Sequence, residues 1–259
     1  MSDLHWRHKV NDHNKARVES LTTQIHQASE RIHNVINQIK EGVAESKVME
    51  VEIHNMKHQS SQELSDAFLV INEAEAKIKD VSAEHVNKFY LFESPPKGLE
   101  ALARCYAYLL AGVLDQSVLD FDTEKRPKDT NWISAREMFK DGNMFLEGLN
   151  SLRHKIEKLE VPQENVEAIK PILVECFYEL EGLHSFSTVA MQLYGFLQKA
   201  VTYYDLVQKA SAHQQETMKI SKELEASSER LIKAEEEMNQ LKNLSDQLYK
   251  ELEIATSEP

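Results

Sequence analysis

Apolar residues recur at alternating spacings of three and four at both ends of this 259-residue chain, and the middle breaks that rhythm. From Val18 to Ile39 the positions Val18, Leu21, Ile25, Ala28, Ile32, Val35 and Ile39 follow it without a miss, which marks a seam for a partner helix. Near the other end Ile220, Leu224, Leu231, Ala234, Met238, Leu241, Leu248 and Leu252 do the same, with Ser227 and Ser245 as polar interruptions. The chain must reverse between the two arms, so the simplest packing is an intramolecular antiparallel coiled coil. No run alternates apolar and polar residues between turn signals, so a sheet has nowhere to start. The expected fold is all-α: a long antiparallel coiled-coil stalk capped by a small bundle of about five short helices.

Helix breakers place the boundaries. Five of the six prolines and five of the seven glycines lie between Glu93 and Leu183, which predicts a first arm with an N-terminal overhang over 1–93, a helical tip over 94–203 and a second arm over 204–259. In the first arm the pattern falters at Gly42 and Ser46 and resumes at Leu64, Ala67, Ile71, Ala74, Ile78 and Val81, with Leu64 four residues out of phase. Residues 42–61 then either bend or change register, or form a surface helix that drifts around its partner. In the tip, Ser94-Pro95-Pro96-Lys97-Gly98 forces a break, and Leu99 to Val113 reads as an apolar helix stopped by Gly112. Trp132, Ala135, Met138 and Phe139 mark a short helix closed at Asp141-Gly142. Phe145 to Leu159 form another, Val166 to Leu180 a third continuing to Gly182, and from Ser185 a last one leads into the second arm. That arm has about 50 residues, or about 75–80 Å of helix, and the first has about 30 more. An overhanging N-terminal end could pair with another chain.

Composition narrows the chemistry. Only 7% of residues are aromatic, so one small core is expected, in the middle. The formal charge of −13 excludes a general nucleic-acid or anionic-membrane binder. No apolar run is long enough to span a membrane and no signal peptide is visible, which predicts a cytoplasmic protein. Cys105 and Cys176 read as small core residues, and Asn243-Leu-Ser as a chance match to a glycosylation acceptor. Glu50, His54 and His58 share one helical face, and His5, His8 and His13 are similarly spaced, but neither set supplies a fourth ligand or a pocket, so no metal site is expected. No catalytic set and no cofactor is expected either. The Gly-rich phosphate loop ending in Gly-Lys-Ser/Thr is absent, which excludes ATP chemistry by that route.

Three stretches carry a resemblance. Phe92 to Gly112, with its proline pair and apolar helix, is similar to the junction and first tip helix of dynein heavy-chain stalks. Asn131 to Phe139, followed by Phe145-Leu146 and Leu149, resembles that family's Trp-bearing helix and the helix after it. Ser187-Thr188-Val189-Ala190 through Val207 resembles its last tip helix entering the return arm. Two departures stand out: His213 where the family usually has a proline, and Phe196 or Leu197 where it commonly has a tryptophan. The resemblance implies a stalk with a microtubule-binding tip; the absent phosphate loop is a further departure and leaves a stalk without its motor, either an excised fragment or, as the initial Met suggests, a stand-alone relative. It also implies signalling by a shift of coiled-coil register, eased by polar seam residues Ser46, Ser60, Ser227 and Ser245.

A tip that grips the acidic microtubule surface needs lysine and arginine on its contact face. Between Pro95 and Lys199 acidic residues outnumber basic ones, 16 to 12. The partner-binding residues that remain are Lys97, Arg104, Lys125, Arg126, Lys128 and Arg136. The expected role is a non-catalytic cytoskeletal binding module that contacts microtubules or an axonemal protein, located on the cytoskeleton and in the axoneme of a cilium or flagellum. The alternative is a structural coiled-coil protein that docks on other proteins by apolar packing, without touching tubulin.

Overall fold

The computed structural model describes residues 2–180 and 187–257, with side chains placed over 14–179 and 187–257. The expected helix end at Gly182, the entry at Ser185 and the side chains of His5, His8 and His13 lie outside the described residues. Among the described residues seven α-helices make up most of the chain: α1 (Ser2–Ile78), α2 (Ala83–Tyr90), α3 (Lys97–Leu110), α4 (Trp132–Ala135), α5 (Gly142–Glu157), α6 (Gln163–Leu180) and α7 (Thr188–Ser257). A 3-10 turn, Arg136–Phe139, follows α4. No strand occurs among the described residues, and α1 packs against α7, as the all-α coiled-coil reading expects. The chain divides into two compact units, one of Met1–Met56 with Gln215–Pro259 and one of Lys57–Gln214.

The first unit is a two-helix seam. Leu21 and Ile25 of α1 bury against Leu248 and Ala255 of α7, with Val18 and Leu252 half-buried beside them. Further along α1, Arg31 pairs with Glu237 at 2.8 Å, and the Ser46 and Ser227 hydroxyls meet at 3.2 Å. Rising numbers in α1 meet falling numbers in α7, so the arms are antiparallel. Gly42 does not break the helix. It makes room, because a Cβ there would come within 2.8 Å of the Leu231 side chain. Gly42, Ser46, Met49, Ile53 and Met56 turn inward, whereas Val43, Val48 and Val51 are exposed. The expected surplus of about 30 residues in the first arm shrinks, because α1 stops at Ile78 and α7 already begins at Thr188. The two helices have 77 and 70 residues.

The second unit has a closed aromatic core. α1 ends before the proline pair, and Ser82 caps α2 by accepting the His85 N–H. That hydroxyl lets the chain turn back where apolar spacing alone reads a continuous arm. α3 lies at the centre, with all but four of its 14 residues buried. Its Tyr106 donates to the Leu193 carbonyl of α7 at 2.8 Å, and its ring meets Phe145 edge-on at 5.2 Å. Phe145 continues to Phe139 and Phe139 to Phe89, linking α3, α5, the 3-10 turn and α2 through edge contacts. Asp141 caps α5 through the N–H groups of Asn143 and Met144. Gly142 must be glycine, since a Cβ would collide with the Ala83 carbonyl.

α6 runs antiparallel to α3, with Cys176 against the Gly98 carbonyl at 3.7 Å and Asn165 donating to the Tyr108 carbonyl at 3.0 Å. Both cysteines are fully buried core residues. A hydrogen bond with Cys176, then burial, pushes the Cys105 thiol far above its ordinary range. Counting on from Val18 in threes and fours lands on Ser60 and Ala67, both buried, and on Glu63 between them. Leu64, placed in the seam by its apolarity, is instead 43% exposed. The polar layer is satisfied across the seam: Ser60 donates to the Ala210 carbonyl at 3.2 Å, and Glu63 meets His213 at 3.0 Å. His213, standing where the family usually has a proline, therefore carries a seam side chain inside an unbroken α7.

Candidate functional site

The six basic residues singled out from the sequence sit in three local settings: on α3, in the loop after it, and in the turn after α4. Lys97 and Arg104 lie two turns apart on the only stripe of α3 that reaches solvent, shared with Glu100 and Tyr108. Lys97 is exposed and has no ion-pair partner among the described residues. Arg104 has a side chain 36% exposed and pairs with Glu175 of α6 at 3.6 Å.

Lys125, Arg126 and Lys128 share the loop between α3 and α4, and each has a partner within the chain. A single bridge between Phe121 and Pro127 closes it into a tight turn. Lys125 sits at its apex in the left-handed region, with φ of 59°. Its stem covers Gly112, and its ammonium donates to the Glu160 carbonyl at 3.1 Å. Gly112, with φ of +80°, leaves no room for a side chain beneath that stem. Arg126 is surrounded by Asp122, Glu124 and Glu164. The Arg126 N–H, then the Arg126 side chain and the Glu124 N–H, hold the Asp122 carboxyl below the usual carboxylate range. Lys128 pairs with Asp120 at 2.9 Å.

Arg136 has a separate structural duty. Its guanidinium donates to the Phe92 carbonyl at 3.2 Å and lies 5.4 Å from the centre of the Tyr90 ring. Trp132 donates to the same carbonyl at 2.9 Å. Two donors from α4 and the turn after it thus clamp the chain just before the proline pair. For Lys125 and Arg136 the sequence spacing carries no sign of these partners, because the accepting carbonyls belong to residues 35 and 44 positions away.

Glu50, His54 and His58 are all exposed on α1. Among the described residues no group of His, Cys, Asp and Glu is placed to hold a metal ion, and no helix is long and apolar enough to cross a membrane.

An exposed apolar group on α6 was not legible as a site. Val174, Phe177 and Tyr178 are 58%, 55% and 75% exposed, and the two rings touch edge-on at 5.7 Å. They lie off the buried face formed by Val166, Ile169, Ile172 and Cys176. A helical wheel of α6 contains the signal, as a second apolar cluster at i, i+3 and i+4.

Comparison with known proteins agrees with this architecture. Residues 11–259 match the family described as the microtubule-binding stalk of the dynein motor. A similar curated protein is the dynein alpha chain of the flagellar outer arm from Chlamydomonas reinhardtii, 24% identical over 164 residues, which is 63% of this chain and 3% of that protein. The chain thus spans only a small part of the length of the relative it matches. With the match running through both helical arms and everything between them, the chain belongs to the family of dynein microtubule-binding stalks.

Proposed function

We propose that this chain binds microtubules directly, and that the contact is made by the solvent stripe of α3 through Lys97 and Arg104. Membership in a microtubule-binding family supports the reading. The single observation that carries it is that Lys97 is exposed with no ion-pair partner among the described residues, beside Arg104 with one long pair. Lys125, Arg126, Lys128 and Arg136 fold the unit and contribute to its field from a distance. A flagellar relative supports an axonemal location.

One exposed cation and one half-buried, ion-paired cation against an acidic lattice make a weak, salt-sensitive grip. Co-sedimentation with stabilised microtubules should show binding that falls steeply from low to physiological salt. Replacing Lys97→Glu together with Arg104→Glu should weaken it by about tenfold at low salt. Binding that ignores both salt and the double reversal would refute the proposal. It would leave the apolar docking reading, which the exposed α6 residues favour.

A further inference from the structure

The outer face of α6 has a definite layout. At about 100° per residue, Glu167, Pro171, Val174 and Tyr178 fall on one outward crest. Glu175 lies on the flank towards α3, where it meets Arg104 at 3.6 Å. Phe177 lies on the other flank, two turns after Lys170, whose ammonium bonds Glu167 at 2.6 Å and Asp205 of α7 at 3.1 Å. Burial has left an apolar crest in water, with two aromatic rings braced against each other. Clustered exposed aromatics of this kind mark protein contacts.

The charges around the crest select the partner. Lys170 faces two carboxylates and Arg104 one, and Glu179 is exposed with no ion-pair partner among the described residues. Glu164, further along α6, shares Arg126 with Asp122 and Glu124. The field over the crest is therefore negative. An acidic surface such as the tubulin lattice is repelled there, and so is the same crest of a second copy. A lysine- or arginine-flanked apolar face is attracted.

We propose that the α6 crest is a docking surface for a second protein, which presents an amphipathic helix with an apolar stripe and basic flanks. Val174, Phe177 and Tyr178 anchor the apolar stripe, and Glu175 and Glu179 meet the basic flanks. The surface shares only the Arg104–Glu175 pair with the proposed α3 contact, and its apolar anchors lie outside that contact, so either can fail alone.

Two synthetic amphipathic helices test it, identical in their leucine face and differing only in lysine or glutamate flanks, each titrated with the full chain by fluorescence anisotropy. The lysine peptide should bind at least tenfold more tightly than its glutamate twin, and the double variant Val174→Ser, Tyr178→Ser should remove at least tenfold of that affinity. Glu175→Lys with Glu179→Lys should invert the preference between the twins while leaving the helical circular dichroism unchanged. Equal binding of the twins, or unchanged affinity in the crest variants, would overturn the proposal. A photo-reactive phenylalanine analogue at position 178, irradiated with microtubules alone, should leave tubulin unlabelled. A tubulin adduct would assign the crest to the microtubule contact, and an adduct within the chain would show the crest already covered. Either overturns it.

Discussion

The Met1–Met56/Gln215–Pro259 unit and the Lys57–Gln214 unit are built from the same two long helices, yet they bury residues in different ways. In the first, seam residues such as Ile32, Leu231, Leu241 and Leu252 are only half-buried, and complete burial is confined to a few positions such as Val35 and Ala255. Two helices alone cannot surround a side chain, so the seam stays open along both edges. In the second, α2, α3, α5 and α6 close over α1 and α7, and Phe139, Phe145, Tyr106 and Leu102 lose all or nearly all contact with water. The lesson concerns tolerance. The open seam accepts serine at Ser46 and Ser227, whose hydroxyls face each other, while in the closed core the Tyr106 hydroxyl is held by a backbone carbonyl.

The largest expected effect separates the two units. Phe139→Ala removes a fully buried ring with three aromatic neighbours and should cost about 3–5 kcal/mol in urea unfolding. Leu248→Ala in the open seam should cost about 2 kcal/mol, at the low end for such truncations. Equal losses would erase the distinction. Gly142→Ala sharpens it, since the new methyl meets backbone and not a side chain that can turn aside. A loss of about 2–3 kcal/mol is expected, and a neutral result would show that α2 and α5 slide freely. Smaller still, Ser46→Val with Ser227→Val should stabilise the seam by about 1 kcal/mol, because a hydroxyl pair is exchanged for apolar contact. A lower melting temperature for that double variant would contradict the tolerance argument.

The smallest effect is local and depends on pH. Folded Asp122 titrates below its unfolded value of about 3.9, chiefly because it accepts the Arg126 N–H. The carboxylate's contribution is therefore complete above the unfolded value and is lost as pH falls through the lowered folded one. NMR titration should find the Asp122 carboxyl still ionised where exposed carboxyls are half-protonated, with the Arg126 amide shifting only at lower pH. Ordinary titration of Asp122 would mean that the 120–128 loop is not held as described.

Much of the fold was legible because helix packing leaves a period in the sequence. Leu21, Ile25, Ala28 and Val35 were seam residues on spacing alone and are buried, and the apolar stretch after the proline pair is the buried centre of the second unit. Leu64 shows where the method stops. Apolarity placed it in the seam, but Ser60 and Glu63 hold the position because Ala210 and His213 stand opposite. The break after Ile78 was hidden as well, since Ala74, Ile78 and Val81 keep a helical spacing while a serine cap turns the chain.

The candidate site was less legible than the fold. Basic residues are visible in any sequence, but whether a cation is available depends on what surrounds it. Composition and periodicity alone determined that this protein is helical, that its two ends pair in opposite directions and that its core lies between them, because those properties follow from regular burial along each helix. Only the tertiary structure decided that Lys125, Arg126, Lys128 and Arg136 are bound internally, that Lys97 is exposed and that α6 presents an apolar crest. For Lys125, Arg136 and the α6 crest those outcomes depend on residues distant in the chain, and one helix's sequence holds no record of what packs across from it.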